Sequence, residues 1–306
     1  MEAVRTAEQI RDVNTRYHDA AASSYDTKWG IDFGGIGQAQ VLGKMRKLLG
    51  SELDRGYDRS LEIGAGTGYF SLNLLQAGAV RRATCTDISP GMVRTLRSNA
   101  DELGLAVKAA RADAESLPFA DSSFDLVLGH AVLHHLPDLR RAFDEFHRVL
   151  RPGGRIAFAG EPSRLGDRLA AIPKRTAVLV SPVWRALMRA GRAPEEDGRA
   201  APDRERLDHA LEPYVDIHAF APGELERHAR RAGFEQVTVR GEELVANWFG
   251  WFNRGLEATA EPDDVPMLWR RYAFSGYLAL QHVDSHVLES RLPPAIFYNL
   301  LLSARK

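Results

Sequence analysis

Apolar positions along the chain change rhythm twice. Ile10, Val13, Tyr17 and Ala21 recur at helical spacing, and a second helix is predicted from Ile36 to Leu49, stopped by Gly50. From Asp58 the pattern becomes short apolar runs separated by turn residues. Ser60–Ile63 reads as a buried strand, Gly64–Gly68 as a tight turn and Tyr69–Gln76 as a helix. Arg82–Asp87 is a second strand. Ser89 then caps a helix that has Pro90 at its first position and runs to about Leu103. Val107–Ala112 and Phe124–His130 are further strands. Asp138 caps a helix through Leu150, ended by Pro152–Gly153–Gly154, and Arg155–Gly160 is a fifth strand. Strands alternating with helices of this length predict a parallel sheet covered on both faces.

The alternation stops between Glu161 and about Asp216. It resumes with a helix from Pro222 to Ala232, a turn at Gly233 and a strand from Gln236 to Arg240, then stops again from Glu243 to Leu292. Ile296–Ser303 is a last, strongly apolar strand. Ala193–Pro202, rich in Ala, Pro, Gly and charge, is the expected mobile loop.

Composition narrows the classes. The 306 residues are 44% hydrophobic and 26% charged, which is globular composition. Forty basic residues stand against 41 acidic ones, so there is no global electrostatic drive toward nucleic acid, and none is expected as a partner. The single cysteine, Cys85, excludes an intrachain disulfide and a cysteine-based zinc site; no metal is expected, and the cytoplasm is the expected compartment.

The glycine turn is the first chemical signal. Gly64, Gly66 and Gly68 after an apolar strand let backbone N–H groups approach a ligand. The spacing departs from the dinucleotide fingerprint, because Tyr69 stands where its last glycine belongs. Glu62, just ahead of the turn, suits a ligand carrying an amine. Asp87 ends the second strand, where a carboxylate can accept both hydroxyls of a ribose, and Asp113 follows the third, placed to accept an adenine amine. All three fall at the carboxyl edge of one sheet.

Together these residues resemble the class I S-adenosylmethionine-dependent methyltransferases, in the branch that methylates quinones and other small molecules. The matching stretches are LEIGAGTGYF (Leu61–Phe70), TDISPGM (Thr86–Met92), the run from Ala112 to Asp138, and RVLRPGGRIAFAGE (Arg148–Glu161), with YHDAAASSYD (Tyr17–Asp26) upstream. The resemblance covers roughly residues 17–161 and returns weakly at the helix near Gly223 and the final strand. It implies a Rossmann-like seven-stranded α/β sheet with the last strand antiparallel. It also implies S-adenosylmethionine as cofactor, with its methionine end at Glu62, Gly64, Ala65, Gly66 and Gly68. The ribose would meet Asp87, the adenine Ile88, Met92, Asp113 and Ala114, and His130 would lie alongside, with Tyr17 and Tyr25 closing over the site.

Domain expectations follow. Residues 1–50 are a helical lid, 51–162 the cofactor core, 163–216 a helical cap insertion, 217–242 the core continued, 243–292 a second helical and aromatic insertion, and 293–306 the last strand. Each insertion is too long for bare loops, which points to a cap. Between Ser163 and Arg192 seven basic residues face only Asp167, among interleaved apolar residues. This stretch reads as a helical hairpin packed on the sheet, as a cap that binds an anionic or lipid-like substrate, or as a basic surface in transient contact with membrane. Trp248, Phe249, Trp251, Phe252, Trp269, Tyr272, Phe274 and Tyr277 would line an acceptor pocket or form the cap's own core.

The expected reaction is in-line methyl transfer to a small hydrophobic or lipid-like molecule. If the acceptor is a hydroxyl, His134 or His135 would be the base, with His130, Glu161 and His18 as further candidates. The competing readings are a catalytically silent cofactor-binding scaffold and a nicotinamide-dependent oxidoreductase. Tyr69 and Asp113 argue against the second, and the absence of an Asn/Asp-Pro-Pro-Tyr-type motif after the fourth strand argues against nucleic-acid methylation.

Overall fold

The computed structural model describes residues 6–193, 211 and 214–306. Seven strands form one sheet: β1 Tyr57–Ile63, β2 Val80–Asp87, β3 Val107–Arg111, β4 Phe124–His130, β5 Leu150–Pro162, β6 Glu235–Glu242 and β7 Asn299–Arg305. Their order is β3-β2-β1-β4-β5-β7-β6, and β7 alone runs antiparallel to its neighbours β5 and β6. Parallel register pairs Ile63 with Thr86, Asp87 with Arg111 and His130 with Ala159. That register brings the strand ends carrying the candidate chemistry to one edge.

The central strands are apolar throughout because both faces are covered. Leu126, Val127, Leu128, Ile156 and Phe158 are wholly buried. On one face lie α3 (Gly35–Leu49), α4 (Glu52–Arg55), α5 (Tyr69–Gln76) and α6 (Pro90–Glu102), which contribute Val41, Met45, Leu53, Phe70 and Leu96. On the other lie α7 (Leu139–Val149) and α9 (Pro222–Arg231), which contribute Phe143, Phe146 and Leu225. Each such side chain stabilises the fold by ~1.5–3 kcal/mol on burial. Two short N-terminal helices, α1 (Ala7–Ala21) and α2 (Tyr25–Trp29), lie across the carboxyl edge. Asp19 of α1 accepts hydrogen bonds from the Ser89 hydroxyl and the Gly91 N–H, both at 2.6 Å, which fastens α1 to the start of α6.

The two insertions build one cap. Between Ser163 and Arg192, where a helical hairpin was one expectation, the first supplies α8, a single helix from Arg164 to Met188. The second supplies α10 (Val245–Glu257) and α11 (Met267–Val283). Trp184 of α8 meets Trp269 of α11 edge to face at 5.2 Å, and both surround Ala177, Leu256 and Val265. Ala193 continues the joint by donating to the Thr259 carbonyl at 3.0 Å. The rest of the expected mobile loop, 194–202, lies outside the described residues. Buried Asp284 accepts from the N–H groups of Leu244, Val245 and Ala246, so a side chain satisfies the start of α10. Among the described residues, no helix is long and apolar enough to cross a membrane.

Candidate active site

The glycine turn after β1 is left-handed at Gly64 (φ +59°) and Gly66 (φ +53°), which only glycine adopts without strain. A Cβ on Gly64 would fall 2.3 Å from Val132 Cγ2, whereas one on Gly66 would meet nothing within 4 Å. The turn is therefore packed behind and open in front. Glu62 is buried beneath it and accepts from the Ser71 N–H at 2.9 Å; burial pushes its carboxyl up to about 8. Asp87 is also buried, and it accepts from the N–H groups of Gly66 and Ser89, both at 2.9 Å. Burial raises its carboxyl above the usual range against the pull of His18 and those two N–H groups. Each oxygen keeps a lone pair for a further donor.

Asp113 faces the same cavity as Asp87. Its Oδ1 accepts from the Glu115 N–H and its Oδ2 lies 2.9 Å from Arg11 Nε. Arg11 also pairs with Glu115, so α1 clasps this end and leaves it narrow, at about 90 Å³. Asn14, one turn further along α1, lines the same cavity with a buried Oδ1 that has no hydrogen-bond partner. That orphaned acceptor, the open face of Gly66 and the two buried carboxylates together fit an adenosine with an amino-acid arm.

A larger chamber of about 440 Å³ continues from this cavity; Gly64, Gly66, His130 and His135 wall both. At its near side β4 gives way to a 3-10 turn, Leu133–His135. Glu161 at the end of β5 organises that turn. It is wholly buried and accepts from the N–H groups of Val132 and Leu133 at 3.0 Å and of His134 at 3.1 Å, and it bonds His134 Nδ1 at 2.8 Å. Burial lowers the His134 imidazole, but the bond and charge of Glu161 outweigh it and hold the pKa above its ordinary value. Glu161 is held low by the same contacts, against its own burial.

Burial favours the neutral form of two further histidines of the wall. His135 bonds the Val215 carbonyl through Nδ1 at 2.9 Å, and burial drives its pKa well down. His130 stacks on Phe70 at 4.7 Å and falls to about 3 through burial. His134, His135 and Asp216 each offer one donor atom within 4.8 Å of the others, the group among the described residues that could hold a metal ion.

Most of the expected site residues converge here. Tyr17, Tyr25, Glu62, Gly64, Ala65, Gly66, Asp87, Ile88, Asp113, Ala114, His130, His134 and His135 all line this pair of cavities. Two do not. Met92 is fully buried in α6, and Gly68 packs against Leu72 and Leu96, so both support the turn from behind. The far wall of the chamber is polar. Lys44 pairs with Glu242 and Glu243, and Tyr277 donates to Glu243 at 2.8 Å. Of the eight aromatics in the second insertion, Tyr277 alone lines the chamber among the described residues; Phe252 and Trp269 pack the cap instead. Arg11, Asn14, Lys44 and Glu243 escaped the sequence reading. Only the helical phase of Asn14 with Tyr17 and His18 could have pointed to the first two.

Comparison with known proteins agrees with this geometry. Residues 61–158 match the family model described as a methyltransferase domain. That stretch is a methyltransferase domain, and the sheet around it has the class I S-adenosylmethionine-dependent methyltransferase fold. Among curated proteins the chain is similar to a malonyl-acyl-carrier protein O-methyltransferase of Methylococcus capsulatus, 34% identical over 61% of this chain and 61% of that protein. The chain thus spans about three-fifths of that relative. Among solved structures it resembles phosphoethanolamine N-methyltransferase 2 of Haemonchus contortus (TM-score 0.60, 15% identity, 99% of this chain and 60% of that one). It also resembles the cyclase SpnF (TM-score 0.56, 18% identity, 99% and 98%). These likenesses concern the fold.

Proposed function

We propose that the protein is an S-adenosylmethionine-dependent methyltransferase acting on an oxygen of a small molecule held in the larger chamber. The observation that carries this reading is the single cleft running from Asp113 and Asp87, past Glu62, to the Glu161–His134 pair. In it, Asp87 would accept the ribose hydroxyls, Asp113 and Asn14 would meet the adenine edge, and Glu62 would receive the amino group. S-adenosylmethionine supplies a methyl already activated by its sulfonium.

What remains for the chain is alignment, exclusion of water and removal of a proton. Tyr17 and Tyr25 cover the cleft from α1 and α2. His134 is fixed by Glu161 through Nδ1, which leaves Nε2, 3.5 Å from Asp216 Oδ1, as the proton acceptor for a hydroxyl. This orientation follows the logic of a carboxylate-held imidazole. The polar far wall of Lys44, Glu243 and Tyr277 suits an acceptor that carries a further polar group away from its reacting oxygen, and the Methylococcus relative, by its name, is also an O-methyltransferase.

The test is turnover with labelled S-adenosylmethionine on a panel of hydroxy, carboxy, amino and thiol compounds, some carrying acyl tails. Label transfer to an oxygen compound is expected. Transfer to amines or thiols alone would overturn the acceptor assignment. Binding of the cofactor with no transfer to any class would favour the silent scaffold.

A further inference from the structure

The outward side of α8 is the wrong character for a helix facing water. Its buried positions are Gly166, Ala170, Pro173, Ala177, Ser181 and Trp184, which pack on the cap. Leu165, Ile172, Leu179, Val183 and Leu187 are spaced by seven, seven, four and four residues, which puts them on one side of the helix, away from that packing. Leu179 is 80% exposed, Leu187 73%, Val183 66% and Ile172 55%. A helix that buries one face against its own protein ordinarily carries polar residues on the other.

The charges beside this stripe are of one sign. Arg168, Arg175 and Arg189 are exposed and make no ion pair among the described residues. Asp167 is the one acid on the helix, and it lies 4.0 Å from Lys174. Lys174 itself sits 3.9 Å over the Trp251 ring, turned toward the cap.

We infer that α8 is a membrane-contact helix that rests flat on an anionic lipid surface, its leucines entering the acyl boundary and its arginines meeting lipid phosphates. An apolar stripe flanked by arginines is the composition of an interfacial helix. At 25 residues it would extend about 37 Å along the surface, since each residue rises about 1.5 Å. A second copy of the chain fits less well, because a symmetric contact brings the same arginines together, whereas an anionic bilayer neutralises them. The inference stands apart from methyl transfer, and its test does not need the acceptor.

The experiment is flotation of the full chain with phosphatidylcholine vesicles, with and without phosphatidylglycerol. The wild type, L179E/L187E and R168S/R175S are compared, and each variant's fold is checked by calorimetric binding of S-adenosylhomocysteine. Expected is binding to the anionic vesicles that falls in high salt. It should drop about fivefold for each arginine removed and be lost in L179E/L187E. Negligible binding to both vesicles, or binding that L179E/L187E leaves intact, would overturn the inference. So would a concentration-dependent dimer in sedimentation velocity that L179E/L187E abolishes while vesicles stay unbound, which would assign the face to a second copy.

Discussion

Glu62 is a carboxyl that the fold keeps out of water, and its pKa of about 8 makes it largely neutral at pH 7 before a ligand arrives. An ammonium group beside it favours the ionised form. Binding of S-adenosylhomocysteine should therefore release a proton and tighten as pH rises toward about 8. Calorimetry in two buffers of different ionisation enthalpy reads that proton directly, and E62Q should remove it. Glu161 acts in the opposite sense, since it raises His134. A base must be unprotonated, so activity should rise with pH through the His134 pKa. E161Q should move that rise to lower pH and lower the plateau by ~10²-fold or more, as a pH–rate profile would show.

The same pair bears on stability. Glu161's share is present above the unfolded carboxylate value of ~4.3 and is lost as pH falls through its lower folded value. His134's share is complete below ~6.5 and is lost as pH rises through its higher folded value. E161A, which strands three N–H groups and an imidazole, should cost ~3–5 kcal/mol in denaturant unfolding, most of all between those two values. At this scale Glu62 and Asp87 were legible, because a strand, a turn and a helix start fix their place. His134 was legible only as a candidate, because its partner Glu161 lies 27 positions away and nothing local marks the bond.

Elements of the sheet were readable from apolar runs and turn residues. Phe124–His130 and Tyr69–Gln76 fall as read. β5 begins at Leu150, earlier than expected, because the chain leaves α7 directly into pairing and carries Gly153–Gly154 within the strand. The last strand starts at Asn299, since Pro294 opens one 3-10 turn before it. α8 is hard to see in the sequence because Pro173 and Pro182, residues that ordinarily break a helix, lie inside it. The helix tolerates Pro182 because the Ser181 hydroxyl donates at 2.9 Å to the Val178 carbonyl that the proline leaves free. Its first turn is pinned at Gly166 against the segment that leads into β7, where a Cβ would fall 1.9 Å from the Phe297 carbonyl. G166A should therefore push α8 off Phe297 and Tyr298 and cost ~1–3 kcal/mol, read as a lowered melting temperature.

The whole molecule places its chemistry where open α/β sheets place ligands, at the carboxyl ends of strands on either side of a switch in strand order. Two stretches whose starts lie 80 residues apart, at 163 and 243, pack together as one cap, and the second reaches that edge through Glu243, Arg254, Tyr277 and Gln281. The sequence showed that both stretches interrupt the fold. It did not show that they pack together, because each alone has too little buried surface to declare a partner. The aromatic residues were therefore readable either as a pocket lining or as the cap's own core; Phe252 and Trp269 join the halves of the cap, and Tyr277 lines the chamber. The polar chamber wall was hidden for the same reason: Lys44 of α3 and Glu243, just past β6, are 199 positions apart.

The most direct test of the cofactor cleft is calorimetric titration of S-adenosylhomocysteine into the wild type and D87A. The expected result is one site in the wild type and affinity ~30- to 150-fold weaker in D87A, the ~2–3 kcal/mol of a lost charge-assisted contact. Equal affinity in a folded D87A protein, or no binding by the wild type, would contradict the account.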